Sequence, residues 1–152
     1  MDDDDLDVVI NGGRVLVGIA ARSLAAHATD ATLPQLRALV LLRGRGALRL
    51  SELAAELDVD TSTATRLVDR LVRKGFIDRQ VEQSDRRALR LSLTPAGRGL
   101  LRRMTEYRKR ELREILSQLD PEERQHLRLA MAALSRVTGE APEDAGPVAW
   151  DS

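Results

Sequence analysis

Apolar side chains recur three or four positions apart near both ends of the chain, which is the spacing of one face of an α-helix. At the N-terminal end this spacing predicts a helix over residues 6–27, carried by Leu6, Val9, Ile10, Leu16, Val17, Ala20 and Leu24. Gly12 and Gly13 lie inside it, and each weakens a helix by about 1 kcal/mol relative to alanine. Close packing against another helix, a break and a frayed start all remain open there.

Proline in the first turn after an N-cap residue predicts three further helices, because a proline there lacks only an N–H that has no helical partner. These signals are Thr32-Leu33-Pro34, Thr94-Pro95 and Asp120-Pro121. The helix after Thr94 spans about 25 residues, a rod of roughly 37 Å at 1.5 Å per residue. From 139 onward, a mixture of Pro, Gly and acidic residues predicts a loose tail.

Two short helical patterns lie in the middle of the chain, separated by Asp58-Val59-Asp60. Ser51 is predicted to be the N-cap of the first, which follows the short extended piece Leu48-Arg49-Leu50. The second runs from about Thr61 to Lys74, and Gly75 is its stop signal. Two short helices joined by so tight a turn predict a helix-turn-helix.

After Gly75 the hydrophobic period changes from 3.6 to 2, which indicates strands. Apolar and polar residues alternate over 77–81 and again over 89–93. Between these segments lies the polar and charged sequence Glu82-Gln83-Ser84-Asp85-Arg86-Arg87. Two strands with such a tip, placed directly behind a helix-turn-helix, predict a wing.

The predicted fold is mainly α with a small β-wing: a winged helix-turn-helix flanked by N- and C-terminal dimerisation helices. A winged unit of this size cannot cover every apolar helix face, so pairing with a second copy of the chain is expected to bury them. The predicted divisions are an acidic disordered N-terminus (1–5), a dimerisation helix (6–32), the winged helix-turn-helix (33–93), two dimerisation helices (94–138) and a flexible tail (139–152).

Charge is unevenly distributed, although the 24 basic and 24 acidic residues cancel over the whole chain. Residues 1–10 carry −5, residues 11–60 carry +1, residues 61–110 carry +9 and residues 111–152 carry −5. The basic third contains the second helix of the helix-turn-helix and the wing. This concentration predicts a localised polyanion-binding surface.

Composition excludes several other classes. The absence of cysteine excludes disulfides, thiolate metal sites, cysteine nucleophiles and thiol redox sensing, and is typical of the reducing cytoplasm. No uninterrupted apolar run approaches the roughly 18 residues of a membrane span, and the N-terminus is acidic where a signal peptide would be basic. We therefore expect a cytoplasmic protein with no membrane partner.

The outward face of the second helix has side chains suited to DNA. With Leu67 and Leu71 facing inward, the helical period points Ser62, Arg66, Asp69 and Arg73 outward and places Thr65 and Arg70 beside them. Arg66 is the candidate for reading a base edge in the major groove. Arg73, Lys74 and the helix start at Ser51 are candidates for phosphate contacts. In the alternative interpretation, Ser62 and Thr63 only cap the helix and the arginines are a solvated face.

The tip of the wing carries adjacent arginines, Arg86 and Arg87. Arginine suits a narrow minor groove, where the potential is most negative. Asp85 is expected to orient one of them, and which arginine pairs with Asp85 and which enters the groove stays open. Ordinary turn residues are the alternative interpretation, because aspartate is common in turns.

Six segments, in this order, resemble the MarR family of bacterial transcription regulators. They are Leu33-Pro34-Gln35-Leu36-Arg37-Ala38-Leu39, Leu50-Ser51-Glu52-Leu53-Ala54, Thr65-Arg66-Leu67-Val68-Asp69-Arg70-Leu71, Lys74-Gly75-Phe76-Ile77-Asp78-Arg79, and Asp85-Arg86-Arg87-Ala88 with Leu93-Thr94-Pro95-Ala96-Gly97. The resemblance implies a homodimer that binds a pseudo-palindromic operator, usually as a repressor, and is released by a small aromatic effector. It also implies that 62–70 is the recognition helix and that Asp85 and Arg87 are the wing motif. With 2% aromatic residues, the chain offers few stacking partners to such an effector.

Two other functions compete with this prediction. An enzyme is disfavoured, because His27 and His126 lie far apart on predicted helices and no metalloprotease or phosphate-loop motif is present. The acidic start of the chain lacks the glycine-bearing loop of a calcium site, so no metal or other cofactor is expected. A winged-helix interaction module that does not bind DNA is the main alternative, but the +9 charge of residues 61–110 argues against it.

Overall fold

The structure is a computed structural model that describes residues 2–27 and 31–139. In that part of the chain six helices and three strands follow one another: α1 Asp3–His27, α2 Leu33–Arg45, β1 Leu48–Arg49, α3 Leu50–Glu56, α4 Thr61–Arg73, β2 Ile77–Val81, β3 Leu89–Leu93, α5 Pro95–Leu116 and α6 Pro121–Thr138. The predicted fold class, a mainly helical winged helix-turn-helix, is confirmed. The predicted flexible tail lies outside the described residues from 140 onward.

The wing is part of a three-stranded antiparallel sheet in the order β1-β3-β2. In β2 and β3, Ile77 pairs with Leu93 and Val81 with Leu89, so the predicted strands pair with their apolar residues on one face. The extended piece before α3 pairs Leu48 with Leu91, so β3 is the central strand. The sheet and α2 to α5 enclose one core, built from Ala38, Leu39, Leu41, Leu42, Leu53, Val68, Leu71, Ile77, Leu91, Leu93, Leu100, Leu101 and Met104.

Local signals explain most helix ends. The side chains of Thr32, Thr94 and Asp120 each accept a backbone N–H of the first helical turn, as predicted. Gly75 ends the α4 segment with φ +75°, a left-handed conformation that favours glycine. The predicted cap at Ser51 is wrong: α3 begins at Leu50 with Arg49 at the N-cap position. The Arg49 N–H donates instead to the Glu52 carboxylate at 2.6 Å, so the N-cap lies two residues before Ser51.

The N-terminal segment differs from expectation. α1 begins at Asp3, so acidic residues predicted to be disordered form its first turn. Carboxylates stabilise a helix there because the N-terminal end of a helix is partially positive. α1 continues through Gly12 and Gly13 without a break, and a Cβ added at either glycine would meet nothing within 4 Å. Neither a break nor close packing within this chain explains the two glycines.

α1 packs along α5 through a small buried contact. Ile19 and Ser23 are its buried residues, and the Ser23 hydroxyl donates to the Met104 carbonyl at 3.0 Å. Two nitrogens of Arg22 donate to the Glu111 carboxylate at 2.5 to 3.2 Å. The outer half of α1 and all of α6 are left largely uncovered, with exposed Leu6, Val8, Val9, Ile10, Val15, Leu16, Val17, Leu127, Leu129, Leu134 and Val137.

The membrane expectation needs a correction. No uninterrupted apolar run predicted a span, but by length and composition α1 is long and apolar enough to cross a membrane. Its most apolar stretch is 11% buried inside the chain.

Candidate nucleic-acid interface

The N-terminus of α4 is closed by Asp60. One carboxylate oxygen accepts the Thr63 N–H at 2.7 Å and the Ser62 hydroxyl at 2.5 Å, and the other accepts the Thr63 hydroxyl at 2.9 Å. These bonds, that from Ser62 first, lower the pKa of Asp60 from 3.8 to about 2. Asp60 is therefore ionised at neutral pH, and its carboxylate occupies the partially positive N-terminal end of α4.

The hydroxyls predicted to face DNA are used within the helix. Ser62 and Thr63 donate to Asp60, and the Thr65 hydroxyl donates to the Thr61 carbonyl at 2.8 Å. A hydroxyl has one proton to donate and keeps lone pairs as acceptors. These side chains therefore have no free donor but can still accept a hydrogen bond from a base amino group. Their bonds within the helix do not prevent a contact with DNA.

The arginines of α4 differ from its hydroxyls. Arg66 is exposed, and its one hydrogen bond, from Nη2 to the Thr63 hydroxyl at 3.4 Å, leaves most of its N–H donors free. Arg70 and Arg73 are also exposed, and neither side chain has a hydrogen-bond or ion-pair partner among residues 2–27 and 31–139. Lys74 is half-buried, and its Nζ donates to Gln35 at 3.5 Å. Three exposed arginines along one helix form the basic part of this face.

Asp69, the acidic residue predicted on the outward face, has a partner that sequence reasoning missed. Its carboxylate forms an ion pair with Arg79 of β2. The contact joins the middle of α4 to the first strand of the wing. A signal for it existed, since the charged Arg79 shares the face of the apolar Ile77 and Val81, but the sequence does not show which helix that strand packs against.

Ser51 lies exposed in the first turn of α3. Ser51 does not cap the helix, and its phosphate contact stays a prediction. The residue that does satisfy the start of α3, Glu52, brings a carboxylate to the same turn.

Arg86 and Arg87 lie exposed in the loop between β2 and β3. Asp85 accepts the Arg87 backbone N–H at 3.0 Å, and its carbonyl accepts the Ala88 N–H at 2.9 Å. Asp85 thus orders the backbone of the tip. It was expected to orient an arginine side chain instead. Within the described residues both guanidinium groups of the tip have no acidic partner.

Comparison with known proteins agrees with this arrangement. The sequence profile of the MarR family matches residues 31–89, from just before α2 to the start of β3. The HTH-type transcriptional regulator YfiV of Bacillus subtilis is 32% identical over 115 residues, which cover 76% of this chain and 72% of that protein. The chain belongs to the MarR family.

Solved structures support the same fold for this MarR-family chain. RV1404 from Mycobacterium tuberculosis is 38% identical and superimposes with a TM-score of 0.85, covering 92% of this chain and 96% of that one. FabT from Streptococcus pneumoniae, solved in complex with DNA, is 22% identical with a TM-score of 0.70, covering 91% and 99%. The family resemblance found in the sequence is therefore confirmed, and the MarR fold extends from the winged unit into the flanking helices.

Proposed function

We propose that this MarR-family protein is a homodimeric repressor that binds a pseudo-palindromic operator in double-stranded DNA. One observation carries the proposal. Five exposed arginines, three on α4 and two at the wing tip, have no acidic partner in the described part of the chain: Arg66, Arg70, Arg73, Arg86 and Arg87. In a chain of zero net charge, such a concentration of free guanidinium groups favours a polyanionic partner.

The two winged units of a dimer would present their α4 helices to successive major grooves, about 34 Å apart. Arg66 would read a base edge, a role supported by its position in the N-terminal half of α4 and its free N–H donors. Ser62, Thr63 and Thr65 would accept from bases, and Ser51, Arg70, Arg73 and Lys74 would contact phosphates. Arg86 and Arg87 would reach the flanking minor grooves. FabT, a protein of the same fold, was solved in complex with DNA, which supports DNA as the partner.

A second copy of the chain is the expected cover for the apolar surface of α1 and α6. In α6 not one residue is buried within the described chain, although the helix carries Leu127, Leu129, Leu134 and Val137. Leaving so much apolar surface in water is unfavourable by about 25 cal/mol per Å². Sedimentation equilibrium tests the dimer, and a monomer at micromolar concentration would contradict the proposal.

DNA recognition is tested by selecting duplexes from a random pool with the purified protein and measuring affinity by gel shift at several salt concentrations. We expect a two-fold symmetric consensus and affinity that falls steeply with salt. The absence of binding even at low salt would favour an interaction module instead.

Two arginine variants separate base reading from phosphate contact. Arg66→Ala should relax discrimination at one base position by about 1 to 3 kcal/mol. Arg73→Ala, one turn or more along the same helix, should weaken binding equally on selected and random duplexes. Equal losses on both duplexes for Arg66→Ala would contradict its assigned role.

Release by a small aromatic effector is part of the proposal and rests on the family resemblance. It is tested by titrating small aromatic acids into the complex with the selected duplex and measuring the change in DNA affinity. The site of action is proposed to be the cytoplasm, at the nucleoid, because that is where such an operator would be found. We propose no enzymatic activity and no cofactor.

A further inference from the structure

Glu82 lies directly after β2, where the strand passes into the tip of the wing, and its side chain is only 13% exposed. Its two carboxylate oxygens face two different arginines. Oε2 lies 2.7 Å from Nη2 of Arg49, and Oε1 accepts from Nη1 of Arg90 at 3.2 Å. A carboxylate between two guanidinium groups is held more firmly than one in a single exposed pair, because each charge limits the motion of the others.

The two arginines belong to the other two strands of the sheet. Arg49 and Arg90 are register partners across β1 and β3, and Gln80 pairs with Arg90 across β2 and β3. Since strand side chains alternate, Gln80 and Glu82 share the face on which Arg49 and Arg90 lie. The Glu82 carboxylate therefore joins all three strands on one face.

Both arginines are tied to the segment that leads into α3. The backbone N–H of Arg49 donates to Glu52 in the first turn of α3. Nη2 of Arg90 donates to the carbonyl of Ala47 at 3.0 Å. Through these two bonds, the arginines that hold Glu82 are also connected to the start of the helix-turn-helix.

Beyond Glu82 only the tip, residues 83–87, remains. The Glu82 N–H donates to the Ala88 carbonyl at 2.9 Å, and Asp85 orders the loop itself. A short exposed loop has little rigidity of its own. The direction of the tip relative to α3 and α4 therefore depends on what holds the ends of β2 and β3 from which it projects.

We propose that Glu82 is a positioning residue of the wing, which fixes the direction of the arginine-bearing tip through Arg49 and Arg90. For its consequence on DNA the inference rests on the proposed function. Glu82 also offsets one of the two positive charges of Arg49 and Arg90, which lowers the basic charge of the sheet relative to that of the tip. A tip that is already oriented before it meets DNA loses less conformational entropy when the complex forms.

The first test needs no DNA. Glu82→Gln removes the charge but keeps the size, and Asp78→Asn is the matched control: Asp78 lies exposed on the same face of β2, and its side chain has no partner in the described part of the chain. Amide hydrogen exchange followed by NMR should show the amides of Glu82 and Ala88 exchanging about threefold to tenfold faster in Glu82→Gln, with core amides unchanged. Unchanged exchange at both amides, or an equal change in Asp78→Asn, would overturn the proposal.

The second test measures the ratio of affinities for the selected duplex and a random duplex, because this ratio cancels the general gain in affinity from removing a negative charge. Glu82→Gln should lower it about threefold to tenfold. In a protein carrying Arg86→Ala and Arg87→Ala the same change should have no effect, since the tip then carries nothing to position. An equal loss in both backgrounds would overturn the positioning role. If the wild-type protein binds no DNA, the proposed function fails, while the exchange experiment still decides whether Glu82 fixes the wing.

Discussion

Gly97 lies where the start of α5 meets the turn before β2. A Cβ at this position would lie 2.3 Å from the carbonyl oxygen of Phe76 and 3.3 Å from the Leu93 side chain. The Phe76 carbonyl cannot turn away, because it accepts the Thr94 N–H at 3.1 Å. We therefore expect Gly97→Ala to push the start of the long helix away from the wing.

The magnitude follows from the geometry. The Cβ falls about 0.7 Å inside the 3.0 Å limit of real contacts, and overpacking of this kind costs about 1 to 3 kcal/mol. The shift also strains the bonds from Thr94 to the carbonyls of Phe76 and Gly75, each with a net value of about 1 kcal/mol. Replacing glycine by alanine in a helix returns at most about 1 kcal/mol. The net loss of unfolding free energy is about 2 to 4 kcal/mol.

Gly99, two residues further along α5, is the control. A Cβ there would meet only the guanidinium ends of Arg103 at 3.3 Å and Arg102 at 3.9 Å, which can move aside. Gly99→Ala should therefore stabilise the protein by about 0.5 to 1 kcal/mol through helix propensity alone. Urea denaturation at one protein concentration measures both variants, since the stability of a dimer depends on concentration.

Opposite signs for the two substitutions are the expected result. If the unfolding free energies of Gly97→Ala and Gly99→Ala agree within about 0.5 kcal/mol, the close contact with Phe76 does not exclude a Cβ at position 97. The reasoning from that contact is then refuted.

Three further predictions concern charge. The pKa of Asp60, lowered from 3.8 to about 2, means that its ionised form contributes stability at pH values above 3.8 and that this contribution is lost as the pH falls toward 2. Urea midpoints of the wild type and Asp60→Asn should therefore converge over that range, and a constant difference would contradict the capping bonds. Tyr107 is the single tyrosine, and its hydrogen bond to Glu111 raises its pKa. Its ultraviolet titration should lie above that of free tyrosine, and Glu111→Gln should move it down; no movement would show that the bond is absent. Removing both Arg86 and Arg87 should lower the slope of log affinity against log salt by about 1 to 2, whereas an unchanged slope would place the tip away from phosphates.

Much of the fold could be predicted because its signals are local. The caps at Thr94 and Asp120 and the stop at Gly75 involve backbone groups within a few residues of each signal. The alternation over 77–81 and 89–93 likewise fixes which side chains share a face once two strands pair. Ser51 shows the limit of such signals. The Glu52 carboxylate accepts the Arg49 N–H, and the helix begins there instead of at Ser51.

The candidate interface likewise has features set by local sequence and features set by tertiary contacts. The amino-acid sequence by itself determined the helix-turn-helix, the wing and the positions of their arginines, because helical and strand periods assign faces without knowledge of distant contacts. Only the tertiary structure decided which polar groups are already engaged: Lys74 with Gln35, Asp69 with Arg79 and Glu82 with two arginines. These partners come from other elements of the fold, and the side chain that neutralises a charge is set by how those elements pack rather than by any pattern along the chain.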